Sequence, residues 1–378
     1  MSPMKLLAAS LAGAAILPLA VSAQETPLGA LEPGPRAEEA AEEAREGLPL
    51  EYPRFSSGVA VELENDYTFE ADDEASELND LFPTVEGAFA LELSEGTGVY
   101  SSLVFEPVFD AEEDDREFGD LGLFVEELYL GAAVGDFDVT LGKFNPAFGM
   151  AFDTAPGIFG TDFAEDYELT ERIGGAVGYT IEAFGGEHAL SASLFLADRT
   201  FLSDSLFDER GELDRDDGGA SNTGGPESFS IAAEGEVASL GYNAGVRFQS
   251  GGRGAPSDEV GLVFGLTYAD IRMGPGDVEL LAEAAYLNNA DGERADAFIG
   301  TVGAAYVLDP FTLSAVYAIR DVSGDDGSTD HLLTATAEYE ILEGLTGAVG
   351  YAYERAERED SHTVGLLIAF EFGGGVSF

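Results

Sequence analysis

An all-β protein, a transmembrane antiparallel up-and-down β-barrel of about sixteen strands, is the fold class that three features of the sequence predict. Apolar and polar residues alternate with a period of two through nearly all of the chain after Arg54. The links between alternating segments are short and long by turns. One parity of those segments carries too many carboxylates for a dry core.

The chain opens "MSPMKLLAASLAGAAILPLAVSAQE", where Lys5 precedes an apolar run from Leu6 to Leu19 and then Val21, Ser22 and Ala23. This is the pattern of a cleaved secretory signal over residues 1–23, with Gln24 as the mature start. The run is too short to span a bilayer comfortably as an anchor. No later stretch offers the roughly 18 uncharged apolar residues of a spanning helix. The exported chain is therefore either soluble outside the cytoplasm or enters a membrane as strands. Cysteine is absent, which excludes a disulfide framework and thiolate metal sites. A formal charge of −56, from 73 acidic and 17 basic residues, argues against nucleic acid as a partner and against an anion-selective pore.

Residues 24–53 read as a periplasmic leader, partly disordered or a short helix. Its segment "RAEEAAEEAREGL" favours helix by composition but shows no continuous apolar stripe, and isolated helices this short are marginal.

The barrel is expected over residues 54–378. In "SGVAVELENDY", Val59, Val61 and Leu63 alternate with Ala60, Glu62, Glu64 and Asp66. In "TVEGAFALEL", Val85, Phe89, Leu91 and Leu93 oppose Glu86, Ala88, Ala90 and Glu92. Fourteen further segments of this kind follow, from "TGVYSSLVFEPVF" to the terminal "HTVGLLIAFEFGGGVSF". The links "SEGTG", "AVGD", "FGGEH", "VASLG", "RMGPGD", "LDP" and "LEG" read as tight turns. Those between them, from "FEADDEASELND" to "RAERED", are longer and mostly acidic. Short periplasmic turns and long outer loops mark a membrane barrel, whereas a soluble sandwich has no reason to sort its links this way.

Strand faces define the solvent. One parity carries Glu62, Glu64, Glu86, Glu92, Glu106, Glu182, Glu234, Asn243, Arg247, Gln249, Glu279, Glu283, Thr336, Glu338 and Glu354. Unpaired carboxylates cost several kcal/mol to bury, so this face lines water and the opposite, apolar face meets lipid. In the last strand Val364, Leu366, Ile368, Phe370 and Phe372 share the lipid-facing parity, and that strand is expected to close the barrel against the first. The terminal aromatic, Phe378, resembles the C-terminal assembly signal of outer-membrane proteins.

The third long link lies in "VTLGKFNPAFGMAFDTAPGIFGTDFAEDYELTERIGGAVGY". Over residues 126–179 the chain resembles Gram-negative outer-membrane porins. Pro146, Ala147, Phe148 and Gly149 match a Pro-x-Phe-Gly run in the third loop of general diffusion porins. The preceding Gly142 and Lys143 match a strand end of siderophore porins that work without an energy-coupling partner. The resemblance implies a third loop folded into the bore, location in the outer membrane, and passive diffusion of small hydrophilic solutes. It also implies a homotrimer, for which the sequence itself has no signal. The crowded arginine ladder of general porins is missing. If the loop folds inward, Asp153, Asp162, Glu165, Asp166 and Glu168 supply negative charge at a constriction, facing Arg172 and Arg247 across the lumen. Carboxylates there raise the local cation concentration and repel anions. The alternatives are a loop folded outward as an acidic lid, a substrate-selective channel of the siderophore-porin type, and a non-conducting structural or adhesive barrel.

Acidic clusters such as "ADDEASELND" and "SGDDGSTD" carry hard oxygen ligands that suit weak divalent-cation binding and bridging to lipopolysaccharide. None has EF-hand spacing, so they read as solvated surface and no metal or cofactor is expected. For catalysis, His188, His331 and His362 are the available imidazoles. Asp330–His331 and Ser361–His362 are sequence neighbours, and neighbours on a strand point to opposite faces, so neither forms a dyad.

Overall fold

The computed structural model describes residues 36–46, 48–49, 51–111, 114–324 and 327–378; the expected signal segment, residues 1–23, lies outside them. Sixteen strands form the wall. They are β1 (Arg54–Ala71), β2 (Asn79–Ser94), β3 (Thr97–Pro107), β4 (Leu121–Val134), β5 (Phe137–Phe144), β6 (Arg172–Ala183), β7 (Gly186–Ala197) and β8 (Ser228–Val237). The second half comprises β9 (Leu240–Gln249), β10 (Glu259–Met273), β11 (Gly276–Asn288), β12 (Ala297–Leu308), β13 (Phe311–Val322), β14 (Thr329–Leu342), β15 (Leu345–Ala356) and β16 (Glu359–Ser377). Two-residue strands at Arg116–Glu117 and Leu206–Phe207 add short pairings in the loops. Each wall strand pairs antiparallel with the next, and β16 returns to β1 in a register from Arg54↔Ser377 to Ala71↔Ser361. The sheet is closed, so no strand edge is left to aggregate.

All seven links at one end are two residues long, at 95–96, 135–136, 184–185, 238–239, 274–275, 309–310 and 343–344. Six of the seven hold a residue at positive φ, as at Gly135 (φ +64), and the seventh is Asp309–Pro310. The other end carries the longer loops, with one departure from expectation. The link in "RAERED" is itself only two residues, Glu357 and Arg358, both at positive φ. β15 and β16 stay paired up to Ala356↔Glu359. A strand running beyond an apolar belt can be polar on both faces, so charge alone does not end it.

The outward parity is exposed and apolar around the wall, with Leu262, Leu313, Val302, Leu366 and Phe370 as examples. Aromatic contacts cluster towards both ends of this belt. Phe137–Tyr179 and Phe311–Tyr339 lie near the turns, at 4.7 and 4.8 Å between ring centroids, and Tyr317–His331 and Tyr351–His362 near the loops. This is the girdled exterior of a transmembrane barrel. The inward parity holds the carboxylates. In β4 both Glu126 and Glu127 are buried on the inner side. The β3 register slips between Ser102↔Glu127 and Leu103↔Val125, so a bulge at Glu126 turns two consecutive glutamates the same way.

The leader contains helix α1 (Arg36–Glu46), and its setting differs from the sequence reading. Ala37, Ala40 and Ala41 are buried, and with Ala60 and Ala88 some of them form a small cluster on the inner wall of β1 and β2. Alanine at helical spacing suffices as a contact stripe where the opposing wall is itself glycine and alanine.

Candidate functional site

The site is built on the loop between β5 and β6, residues 145–171, which folds into the bore. Its two ends are clamped together. The Asn145 backbone N–H donates to Glu127 Oε1 (2.8 Å), its side-chain amide donates to Glu126 (3.2 Å), and its Oδ1 accepts from the Glu171 backbone N–H (2.7 Å). Lys143, fully buried in its side chain, places its ammonium on Glu171 (2.7 Å), Asp198 (3.0 Å) and the Leu202 carbonyl (2.8 Å). Arg210 from the next loop binds the same Glu171. The loop's neck is thus an ion-paired knot.

Within the bore, Gly149 (φ +96) turns the chain so that the N–H groups of Met150 and Ala151 donate to the Glu283 carboxylate of β11, at 2.8 and 2.9 Å. These open the one-turn helix α2 (Ala151–Thr154). The Tyr167 hydroxyl donates to the same carboxylate. The guanidinium of Arg247 sits 4.6 Å over the Phe148 ring, donates to Glu259 (2.7 Å) and binds the Tyr167 carbonyl. Further on, the Ile158 N–H donates to Thr336 (3.2 Å) and Phe159 lies against Gly350 and Gly365. A Cβ at Gly365 would meet the Phe159 ring at 2.6 Å, so glycine there makes room for the loop tip. Phe148, Phe152, Phe159, Phe163, Tyr167 and Leu169 join Phe195 of β7 and wall residues from β10 to β15 in the largest buried apolar cluster. The loop is therefore glued to one side of the wall.

The space left open lies between the loop and β1–β3 and β14–β16, a cavity of about 800 Å³. Eleven carboxylates line it: Glu62, Glu64, Asp66, Asp73, Asp80, Glu86, Glu106, Asp162, Glu165, Glu338 and Glu354. Among the described residues lining it there is no lysine, arginine or histidine. Phe82, Phe152, Ile158, Phe159, Leu332 and Leu367 add apolar patches. A second cavity of about 520 Å³ on the turn side of the loop is also acidic, with Glu187, Glu234 and Glu279 in its lining.

The seven residues singled out from the sequence separate into two groups. Asp162 and Glu165 line the acidic cavity. Asp162 is exposed to lumen space yet enclosed by protein, and desolvation together with Glu165, Glu354 and Asp66 pushes its carboxyl well above the usual range. Asp153, Asp166, Glu168, Arg172 and Arg247 lie outside that lining. Asp166 pairs with Arg320 of β13 (2.5 Å), and Arg320 also holds Asp330 (2.9 Å). Burial and its neighbours Asp153, Glu165 and Glu127 push Glu168 well up. Arg247 is 2 % exposed and acts as a peg under the loop rather than as a facing charge. Arg172 begins β6 at the loop's end and is half-buried. Sequence parity places both arginines on the inner face, but it does not say whether the loop covers them.

The residues not singled out are the wall carboxylates. The run Glu62, Glu64, Asp66 on one face of β1 is their visible signal, strengthened by Glu86 and Glu106 on β2 and β3. Of the histidines, His331 contacts the Tyr317 hydroxyl (2.9 Å) and His362 that of Tyr351 (2.7 Å), both in the aromatic belt, while Asp330 turns to Arg320.

No family description and no curated protein sequence matches the chain. Solved outer-membrane proteins do match its fold. OprB of Pseudomonas putida superposes with TM-score 0.58 at 12% identity, over 85% of this chain and 94% of that one. The loop-deleted OmpT of Vibrio cholerae gives 0.53 at 11% identity (84% and 99%), and OpdK of Pseudomonas aeruginosa with vanillate 0.52 at 11% (84% and 98%). The chain has the porin-like fold, a closed antiparallel sixteen-stranded barrel.

Proposed function

We propose that this protein is an outer-membrane diffusion channel for small hydrophilic solutes that prefers cations. One observation carries the reading: the passage between the inward loop and the wall is lined by eleven carboxylates and no described basic side chain. In a confined passage of low local dielectric such a ring concentrates cations and repels anions. The apolar outer belt supports a place in a bilayer, and the likeness to outer-membrane proteins of Vibrio cholerae and Pseudomonas aeruginosa supports that bilayer's identity. The export signal over residues 1–23 belongs to the same reading, as does a homotrimer in contact with lipid and lipopolysaccharide.

The test is a reversal-potential measurement in planar bilayers across a potassium chloride gradient. A potential close to the potassium equilibrium value is expected. A potential near zero or of chloride sign overturns the cation preference, and the absence of current steps at high protein load, from the full chain and equally from one lacking residues 24–46, overturns the channel itself.

A further inference from the structure

Along β1 the inward side chains run, from turn end to loop end, Arg54, Ser56, Gly58, Ala60, Glu62, Glu64 and Asp66. The upper three line the acidic cavity, and the lower part of the same row is covered by α1. The helix therefore lies inside the bore, immediately on the turn side of the passage.

Its contact is made of backbone. A Cβ at Gly58 would lie 1.8 Å from the Ala37 carbonyl oxygen and 2.5 Å from the Ala41 nitrogen, and a Cβ at Gly373 of β16 would lie 2.0 Å from the Ala40 carbonyl oxygen. No side chain fits between helix and wall at either point. Ala37 and Ala41 close against Ala60 and Ala88. At the helix's end Arg45 reaches Glu92 of β2 (3.6 Å), which Arg54 also binds. With side chains a helix is about 10–12 Å across, a large obstruction in the lumen of a sixteen-stranded barrel.

The same contact is poorly suited to permanence. It buries alanines rather than large apolar side chains, and the helix brings Glu38, Glu39, Glu42 and Glu43 into a bore already crowded with carboxylates. An isolated helix of 11 residues is marginal by itself, so α1 depends on this seat for its order.

We propose that α1 is a gate: docked on β1, β2 and β16 it obstructs the turn-side exit of the acidic passage, and undocking it opens the channel. The proposal rests on the reading that the bore conducts, and the experiment separates the two.

Gly58→Val places a strand-favouring side chain where the helix backbone rests, so it evicts α1 while keeping the wall. Deletion of residues 24–46 removes the helix outright. A reporter cysteine at Ala41, in a chain without cysteines, follows docking by its reaction with a membrane-impermeant maleimide. Single-channel recordings of both variants should show a conductance at least 1.5-fold that of the parent, with the reporter changing from protected to reactive in the Gly58→Val background. A reactive reporter in the Gly58→Val background, with parental conductance in that variant and in the deletion, overturns the obstruction. Movement is tested by Ala41→Cys with Ala60→Cys, two residues of one contact cluster. Oxidised, the channel should hold its low level; reduced, it should step between low and high levels. Identical traces in the two redox states overturn the gate and leave a fixed filler. Current in the deletion variant alone means a fully closing gate, and current in none of the variants overturns the channel reading and the gate together.

Discussion

Arg247 shows how one side chain fixes the shape of the bore. Its guanidinium joins a fully buried carboxylate, Glu259, to the carbonyl of Tyr167 and the ring of Phe148, both on the inward loop. Arg247→Met leaves Glu259 buried without its cation, a loss of about 3–5 kcal/mol. The folded band that resists detergent in a heat-modifiability gel should therefore melt at a lower temperature, and the conductance should become noisier as the loop loosens. In the proposed channel Asp162 and Glu165 act differently, through the field they impose on the passage. Asp162→Asn with Glu165→Gln should lower cation-over-anion permeability, most at low salt where screening is weakest. An unchanged reversal potential in 0.1 M salt counts against their role in the passage. Because Asp162 holds its proton more tightly than a free carboxyl, selectivity should begin to fall at a higher pH than an ordinary carboxylate predicts. A titration of reversal potential between pH 8 and pH 4 measures this.

At the scale of elements, α1 makes a pH prediction of its own. Burial, reinforced by Glu42, raises the Glu38 carboxyl from 4.5 to about 7 in the docked helix. Glu42 on the helix and Glu127 and Tyr129 of β4 interact with it, while Glu42 in turn faces Tyr100 of β3, beside Arg45, Arg54 of β1 and Glu92 of β2. A raised acid pKa means that docking is favoured while Glu38 is protonated. Docking weakens as pH climbs from about 4.5 to about 7 and changes no further above that. The open level should therefore gain occupancy over that window, and Glu38→Gln should flatten the response; a variant that keeps the full pH step removes Glu38 from the account. The elements differ in how far the sequence reveals them. The wall strands and the seven tight turns are legible because a two-sided wall forces strict alternation and short links need turn residues. The seat of α1 is not, since alanine on glycine leaves a weak hydropathy signal and the partner strands lie at both ends of the chain. The bulge at Glu126 escapes for a similar reason: consecutive glutamates mark broken alternation, not which face both take. In the site, the carboxylates of β1 to β3 can be read by parity, and Asp162 and Glu165 through the loop's position. Which inner arginines the loop covers is a matter of packing across the bore, which spacing along the chain does not encode.

For the whole molecule the decisive property is that its two surfaces face opposite solvents. Val302, outward and half-exposed in the middle of β12, should tolerate arginine badly, with a loss of about 2–4 kcal/mol if it sits at the bilayer midplane. Glu182→Arg, on the lumen side of β6, should leave stability nearly unchanged. Equilibrium unfolding from lipid vesicles compares them, and equal losses would mean that the outward belt does not meet hydrocarbon. The seam between β1 and β16 has a temporal consequence. It joins residues as far apart in the chain as Ser57 and Gly374, separated by 317 positions. During synthesis the first strand waits for the last, and any shortened product carries two bare edges. Closing so long a loop is slow, and until its final segment arrives both edges stay open to pairing with other chains.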